Sequence, residues 1–483
     1  MAIKLKLLID KEKNRVVLAE SDKYFVDILF SFLTIPIGSV LPLSSQKSNL
    51  GSMDALHESV ENLDSEFLQT EAVKDMLLRP RSTWEARIKD PALNVHTDLT
   101  KCYRCVKTSC VTGSHPFIST FRNTRCPCGI AMDKEVVFKK SKRAVNEGAF
   151  LKGTMRFVIS DDLWVGPIST KTCLSMLDKL GIRDRTILEE KSVDVGADEA
   201  LHILRRMLVS NTPLTDKFLP KTEGLEDAFY AVKLIPGEIT IDKKDTGKKM
   251  SVTLLISESK NKVLYAEATN DFVDLLFSFL TFPLGSMVKL LGPGSSIRCL
   301  DNLYKNVEDL SSHDDCIISE ECRAMLLDPK LVLHSGCENQ LLPIMEAGPK
   351  TIDTSETICC TFCGADGYSH NRYCSHPRSL VLHFINPKLS DAASECGGGF
   401  LKRSKTTFMI TDGLDVKPLS FISAISILAR FDLPISDVQE RVVSVGEEEA
   451  LSLLKAAVFS RTVLSDVFCQ KKVNQSDIKL ERE

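Results

Sequence analysis

A stretch near the start of the chain returns almost unchanged past its middle. Phe25-Val26-Asp27, Leu29-Phe30-Ser31-Phe32-Leu33-Thr34, Pro36 and Gly38-Ser39 recur as Phe272-Val273-Asp274, Leu276-Phe277-Ser278-Phe279-Leu280-Thr281, Pro283 and Gly285-Ser286. The offset is constant (274 − 27 = 247). The likeness continues downstream. Val60 and Leu63 return as Val307 and Leu310, and Met76-Leu77-Leu78 with Pro80 as Met325-Leu326-Leu327 with Pro329. Phe157, Ile159, Asp161 and Leu163 return as Phe408, Ile410, Asp412 and Leu414, and Val195-Gly196 as Val445-Gly446. A unit this long exceeds the 20–50 residues of a solenoid repeat. It reads as two tandem copies of one domain. The expected division is 1–224 for the first copy, a tether over 225–249, and 250–483 for the second. The tether contains Pro236-Gly237 and the polar run Asp242-Lys243-Lys244-Asp245.

Periodicity within a unit is mixed. Leu5–Ile9 and Val16–Ala19 flank a turn and predict a β-hairpin. Tyr24, Phe25, Ile28, Leu29, Phe32 and Leu33 recur at helical spacing, with Asp22 and its counterpart Thr269 as N-caps. A second helix is expected from Asp64 to Leu78, a strand at Phe157–Ile159 and a helix over Ser169–Leu180. A strand at Ile187–Val195 and a last helix after Gly196 follow. Strands and helices in this order predict an α+β fold, not a βαβ series. No Gly-rich phosphate loop follows a strand; Gly397-Gly398-Gly399 reads as a turn.

The chain holds 16 cysteines in 483 residues. Charges interrupt the apolar residues of Met1 to Asp10, which does not read as a secretory leader. The apolar segment Tyr24 to Gly38 is too short to span a bilayer, so no membrane association is expected. The expected compartment is the reducing cytosol or the nucleus, where spaced cysteines read as thiols or metal ligands. Cys102-x-x-Cys105 precedes Cys126-Pro127-Cys128; the second copy carries Cys360-x-x-Cys363, then Cys374-Ser375-His376. Zinc accepts thiolate or imidazole. The predicted ligands are therefore Cys102, Cys105, Cys126 and Cys128 for one structural zinc, and Cys360, Cys363, Cys374 and His376 for another. Cys110, His115, Cys359 and His370 are the alternatives.

The other candidates are weaker. Asp161-Asp162 has only Asp412 as its counterpart, and turn formation or capping explains it. Asp27 and Asp274 read as the polar face of apolar helices. The segment Lys134 to Arg156 is basic, but the net charge of -4 gives no field for nucleic acid.

The whole chain resembles a plant family of duplicated proteins, domain of unknown function 674. The residues carrying the resemblance are Lys4–Asp10, Phe25–Leu33 with Pro36 and Gly38, the cysteine pairs, Phe157–Leu163 and Val195-Gly196. The resemblance implies a plant origin and a two-domain fold, and it assigns no activity. The expected function is non-enzymatic: an intracellular binding or scaffold module with structural zinc and a protein partner. The alternatives are an enzyme with its site between the copies, or a nucleic-acid binder using the first cysteine knuckle.

Overall fold

Alternation of apolar and polar residues builds the first strands. Ile3, Leu5, Leu7 and Ile9 are buried while Lys4 and Lys6 are exposed, the period of a half-buried strand. The computed structural model describes residues 3–43, 50–83, 101–111, 116–137, 150–153, 155–219, 247–292, 297–313, 316–348, 351–353, 381–389 and 398–469.

In chain order, the first half gives β1 (Ile3–Asp10), β2 (Arg15–Asp22), α1 (Lys23–Ser31), α2 (Ile37–Val40), α3 (Met53–Asn62) and α4 (Glu71–Leu78). An insert follows with β3 (Lys101–Arg104), α5 (Thr108–Val111), β4 (Phe117–Ser119), β5 (Thr124–Arg125), β6 (Ala131–Met132) and β7 (Lys134–Val137). The half closes with β8 (Arg156–Ser160), β9 (Val165–Pro167), α6 (Thr170–Lys179), β10 (Leu188–Val195), α7 (Ala197–Met207) and α8 (Pro213–Phe218). The second half gives β11 (Met250–Ser257), β12 (Lys262–Ala268), α9 (Asn270–Ser278), α10 (Leu284–Leu291), α11 (Arg298–His313) and α12 (Glu320–Leu327). Its insert holds β13 (Leu331–Val332), β14 (Glu346–Ala347), β15 (Thr351–Asp353) and β16 (Val381–Phe384). It ends with β17 (Phe408–Thr411), β18 (Val416–Pro418), α13 (Phe421–Arg430), β19 (Val438–Val445), α14 (Glu447–Phe459) and α15 (Val463–Phe468). The fold is mixed α+β.

Two five-stranded sheets share one strand order. The first runs β10-β1-β2-β8-β9 and the second β19-β11-β12-β17-β18, with every neighbour antiparallel. The register shifts at Leu8/Ile9 in one hairpin and at Leu255/Ile256 in the other. Their inner faces share one apolar core with the helices between them; Phe25, Phe30, Phe272, Phe277 and Phe279 are fully buried in it. α6 covers the outer face of the first sheet and α13 that of the second.

Segments of each half complete the other. α3 lies against β18 and α9, and the Val416 N–H donates to Ser59 Oγ at 2.8 Å. Reciprocally, α11 lies against β9 and α1, and Asn306 Nδ2 donates to the Leu163 carbonyl at 3.0 Å. Between them the Ile37 N–H donates to the Phe282 carbonyl and the Leu284 N–H to the Ile35 carbonyl, each at 3.0 Å. Gly38 sits here because a Cβ would come 2.7 Å from the Leu280 carbonyl oxygen. Further out, Gln69 and Phe400, Lys402 and Phe67, Lys152 and Cys316, and Ile318 and Phe150 pair through their backbones. Of the expected tether, residues 225–246 lie outside the described residues.

Three expectations change. The helix expected from Asp64 to Leu78 starts only at Glu71, since Asp64 holds a turn through the Glu66 N–H and the segment then bridges to Leu401. Asp22 caps α1 through the Tyr24 N–H, but the Thr269 side chain makes no capping bond. Asp27 and Asp274 do not mark a polar face. Both are buried, and each accepts two backbone N–H groups: Phe150 and Leu151 for Asp27, Phe400 and Leu401 for Asp274, at 2.9–3.1 Å. A buried carboxylate persists only where such donors satisfy it.

Candidate metal centre

The inserts of the two halves meet in a third sheet, ordered β15-β16-β4-β3-β7. β16 runs parallel to β4, with His383 opposite Phe117 and Phe384 opposite Ile118. Strand alternation then sorts the first cysteine pair. Cys102 lies within β3 and packs with Ile118, Val136 and Leu382 on one face. Cys105 follows three residues later, an odd step, and joins Cys126 and Met132 in a different cluster.

Cys105, Cys110, Cys126 and Cys128 converge, with all four Sγ atoms within 4.8 Å of one another. Cys105 Sγ and Cys128 Sγ lie 3.6 Å apart. A zinc with four thiolates at about 2.3 Å places its sulfurs about 3.8 Å apart, so the spacing fits. Two tight turns present the thiols. The Lys107 N–H donates to Cys105 Sγ at 3.4 Å, and the Cys110 N–H donates to the Lys107 carbonyl at 3.1 Å, opening the single turn of α5. In the β5–β6 hairpin the Cys126 N–H donates to the Ile130 carbonyl at 2.9 Å and the Gly129 N–H to the Cys126 carbonyl at 2.8 Å. Gly129 has φ +85°, which a side chain would strain. Ser119 and Thr124, 2.6 Å apart through their hydroxyls, brace the hairpin from within.

Electrostatics separates Cys128 from Cys105 and Cys126. Burial pushes the Cys105 and Cys126 thiols up. The Ile130 N–H, donating to Cys128, lowers that thiol to about 7. Backbone N–H donors to Cys105, Cys126 and Cys128 suit thiolates, and such outer-shell donors orient metal ligands. Four thiol donors in this arrangement fit one soft divalent ion with closed tetrahedral coordination.

The structure thus brings together Cys105, Cys126 and Cys128 of the predicted set and supplies Cys110 as the fourth; Cys102 belongs to the sheet core, where burial raises its thiol to about 11. The signal for Cys110 in the sequence was its presence five residues after Cys105, on the far side of one turn. Cys360, Cys363, Cys374 and His376 lie outside the described residues, as do His115, Cys359 and His370. So does 138–149 of the basic segment.

Asp161 is a structural group. It is buried and accepts from Thr215 N at 3.0 Å, Thr215 Oγ1 at 2.7 Å and Arg15 Nε at 3.1 Å, holding the start of α8. Asp412 does the same for α15 through Ser465 N and Oγ. Asp162 pairs with Arg298 at 2.9 Å.

Fold and site together define an α+β protein with three five-stranded sheets, interlocked halves and a four-cysteine cluster. The chain belongs to the family described as "Protein of unknown function (DUF674)", whose model matches residues 1–448. No curated protein and no solved structure matches it. Among the described residues, no helix is long and apolar enough to cross a membrane.

Proposed function

We propose that this chain is a non-catalytic binding or scaffold protein of the cytosol or nucleus, built by tandem duplication and braced by structural zinc. The observation that carries the reading is the convergence of Cys105, Cys110, Cys126 and Cys128 on one point, with backbone donors aimed at the sulfurs. Zinc there would tie the β5–β6 hairpin to the end of β3. Because β4 pairs with β16, that ion would also steady an edge of contact between the two halves. The duplication is supported by the shared strand order and by the matching bulges. Cys360, Cys363, Cys374 and His376 are proposed as the second site. A rigid, interlocked body suits a protein ligand that docks on a preformed surface.

Zinc content of the full chain, purified under reducing conditions, tests the metal. About one zinc should be lost in Cys110→Ser and in Cys126→Ser, and none in Cys102→Ser. Metal-free protein whose unfolding midpoint is indifferent to a strong chelator would remove zinc from the account. Affinity purification with and without nuclease tests the partner. A protein that survives nuclease supports the scaffold, and co-purified RNA or DNA in its place overturns it.

A further inference from the structure

The two outer helices occupy equivalent places and show solvent different surfaces. α6 exposes Thr170, Lys171, Leu174, Ser175, Asp178 and Lys179. At the same positions (421 − 170 = 251) α13 exposes Phe421, Ile422, Ile425, Ser426, Ala429 and Arg430. Phe421 and Ile422 are each 79% exposed. The opposite side of α13 already packs on the sheet, through Ala424, Ile427 and Leu428 against Leu264, Tyr265 and Met409. A helix apolar on both sides is one that something covers.

We propose that a second copy of this chain covers α13, through a two-fold antiparallel α13–α13 contact. The exposed face is complementary to itself in that arrangement. With the axis between residues 425 and 426 (422 + 429 = 425 + 426), Ile422 seats over the small Ala429 of the second copy and Ile425 over its Ser426. Ser426 leaves room for the helices to approach. No acidic or lysine side chain lies on the face, in contrast to Lys171, Asp178 and Lys179 of α6. Leu419, Phe421, Ile422 and Ile425 together expose roughly 500 Å², so a two-fold contact through them can bury up to roughly 1,000 Å², the lower limit of a specific interface. A contact of this size sits at the weak, reversible end of specific interfaces.

Sedimentation velocity of the full chain over roughly 1–200 μM tests this. The expected result is a concentration-dependent monomer–dimer equilibrium. Phe421→Thr with Ile422→Lys, which installs the α6 residues, should hold the chain monomeric with an unchanged melting temperature. Ala429→Asp, a separate change opposite Ile422 of the second copy, should weaken dimerisation at least about tenfold. A wild-type chain that stays monomeric throughout overturns the proposal, whether the face is solvated or covered by the chain's own residues 220–246. A dimer that survives both variants overturns it equally.

Discussion

Set side by side, the halves agree inside and differ outside. Asp27 and Asp274 hold the same pair of backbone N–H groups, and Asp161 and Asp412 hold the same short helix. Ser39 Oγ donates to the Pro80 carbonyl as Ser286 Oγ does to that of Pro329, both at 2.5 Å. Each of these groups satisfies buried backbone, so its loss would leave a polar atom unpaired at a cost water cannot relieve. The start of the long helix is different. Buried Lys23 reaches the Leu151 carbonyl at 3.4 Å, while Asn270 in the equivalent place bonds the Lys402 carbonyl. The outer helices diverge furthest. Groups that satisfy buried backbone match between the halves, and the solvent-facing residues of the outer helices do not.

The comparison can be broken most forcefully at the buried aspartates. Asp27→Ala and Asp274→Ala should each cost about 3 kcal/mol, since each strands two buried N–H groups. Denaturant midpoints of both variants check this; a half that tolerates the change does not use its aspartate as the other does. Next comes pH. Burial raises the Asp274 carboxyl from 3.8 to about 7, with Asp271, Lys388 and Cys337 as its charged or titratable neighbours. A carboxyl raised on folding binds its proton more tightly in the native state. Its contribution is therefore complete below pH 4 and is lost as pH rises to about 7, by at most about 1.4 kcal/mol per pH unit. Asp274→Asn should flatten that part of the stability profile, and an unchanged slope would assign it elsewhere. The smallest effect is expected at the exchanged helices. Ser59→Ala and Asn306→Ala each remove one hydrogen bond between halves, costing about 1 kcal/mol. Equal losses by calorimetry would sharpen the reciprocity, and a loss on one side alone would break it.

Local pattern made much of this fold legible. The hairpins, the start of α1 at Asp22, α6, β8, β10 and the entry to α7 all follow from period and caps. What depended on distant partners was hidden. Asp27 looked like a surface residue because its donors, Phe150 and Leu151, lie 123 and 124 positions away. The chain after Asp64 looked helical because nothing nearby shows that Gln69 will pair with Phe400. At the cysteine cluster, spacing singled out three of the four thiols that converge, Cys105, Cys126 and Cys128, and set Cys102 with them where the structure has Cys110. Cys102 is in a strand, and strand parity turned it to the other face.

The reciprocal placement of α3 and α11 sets a timetable for synthesis. When α8 has just been synthesised, the segment that will lie against β9 is still 80 residues from being begun (298 − 218 = 80), on the order of ten seconds of translation. α3 waits longer still for β18. During that interval the nascent amino-terminal portion carries apolar surface that its counterpart has yet to cover, the kind of exposure that makes a folding chain prone to aggregate.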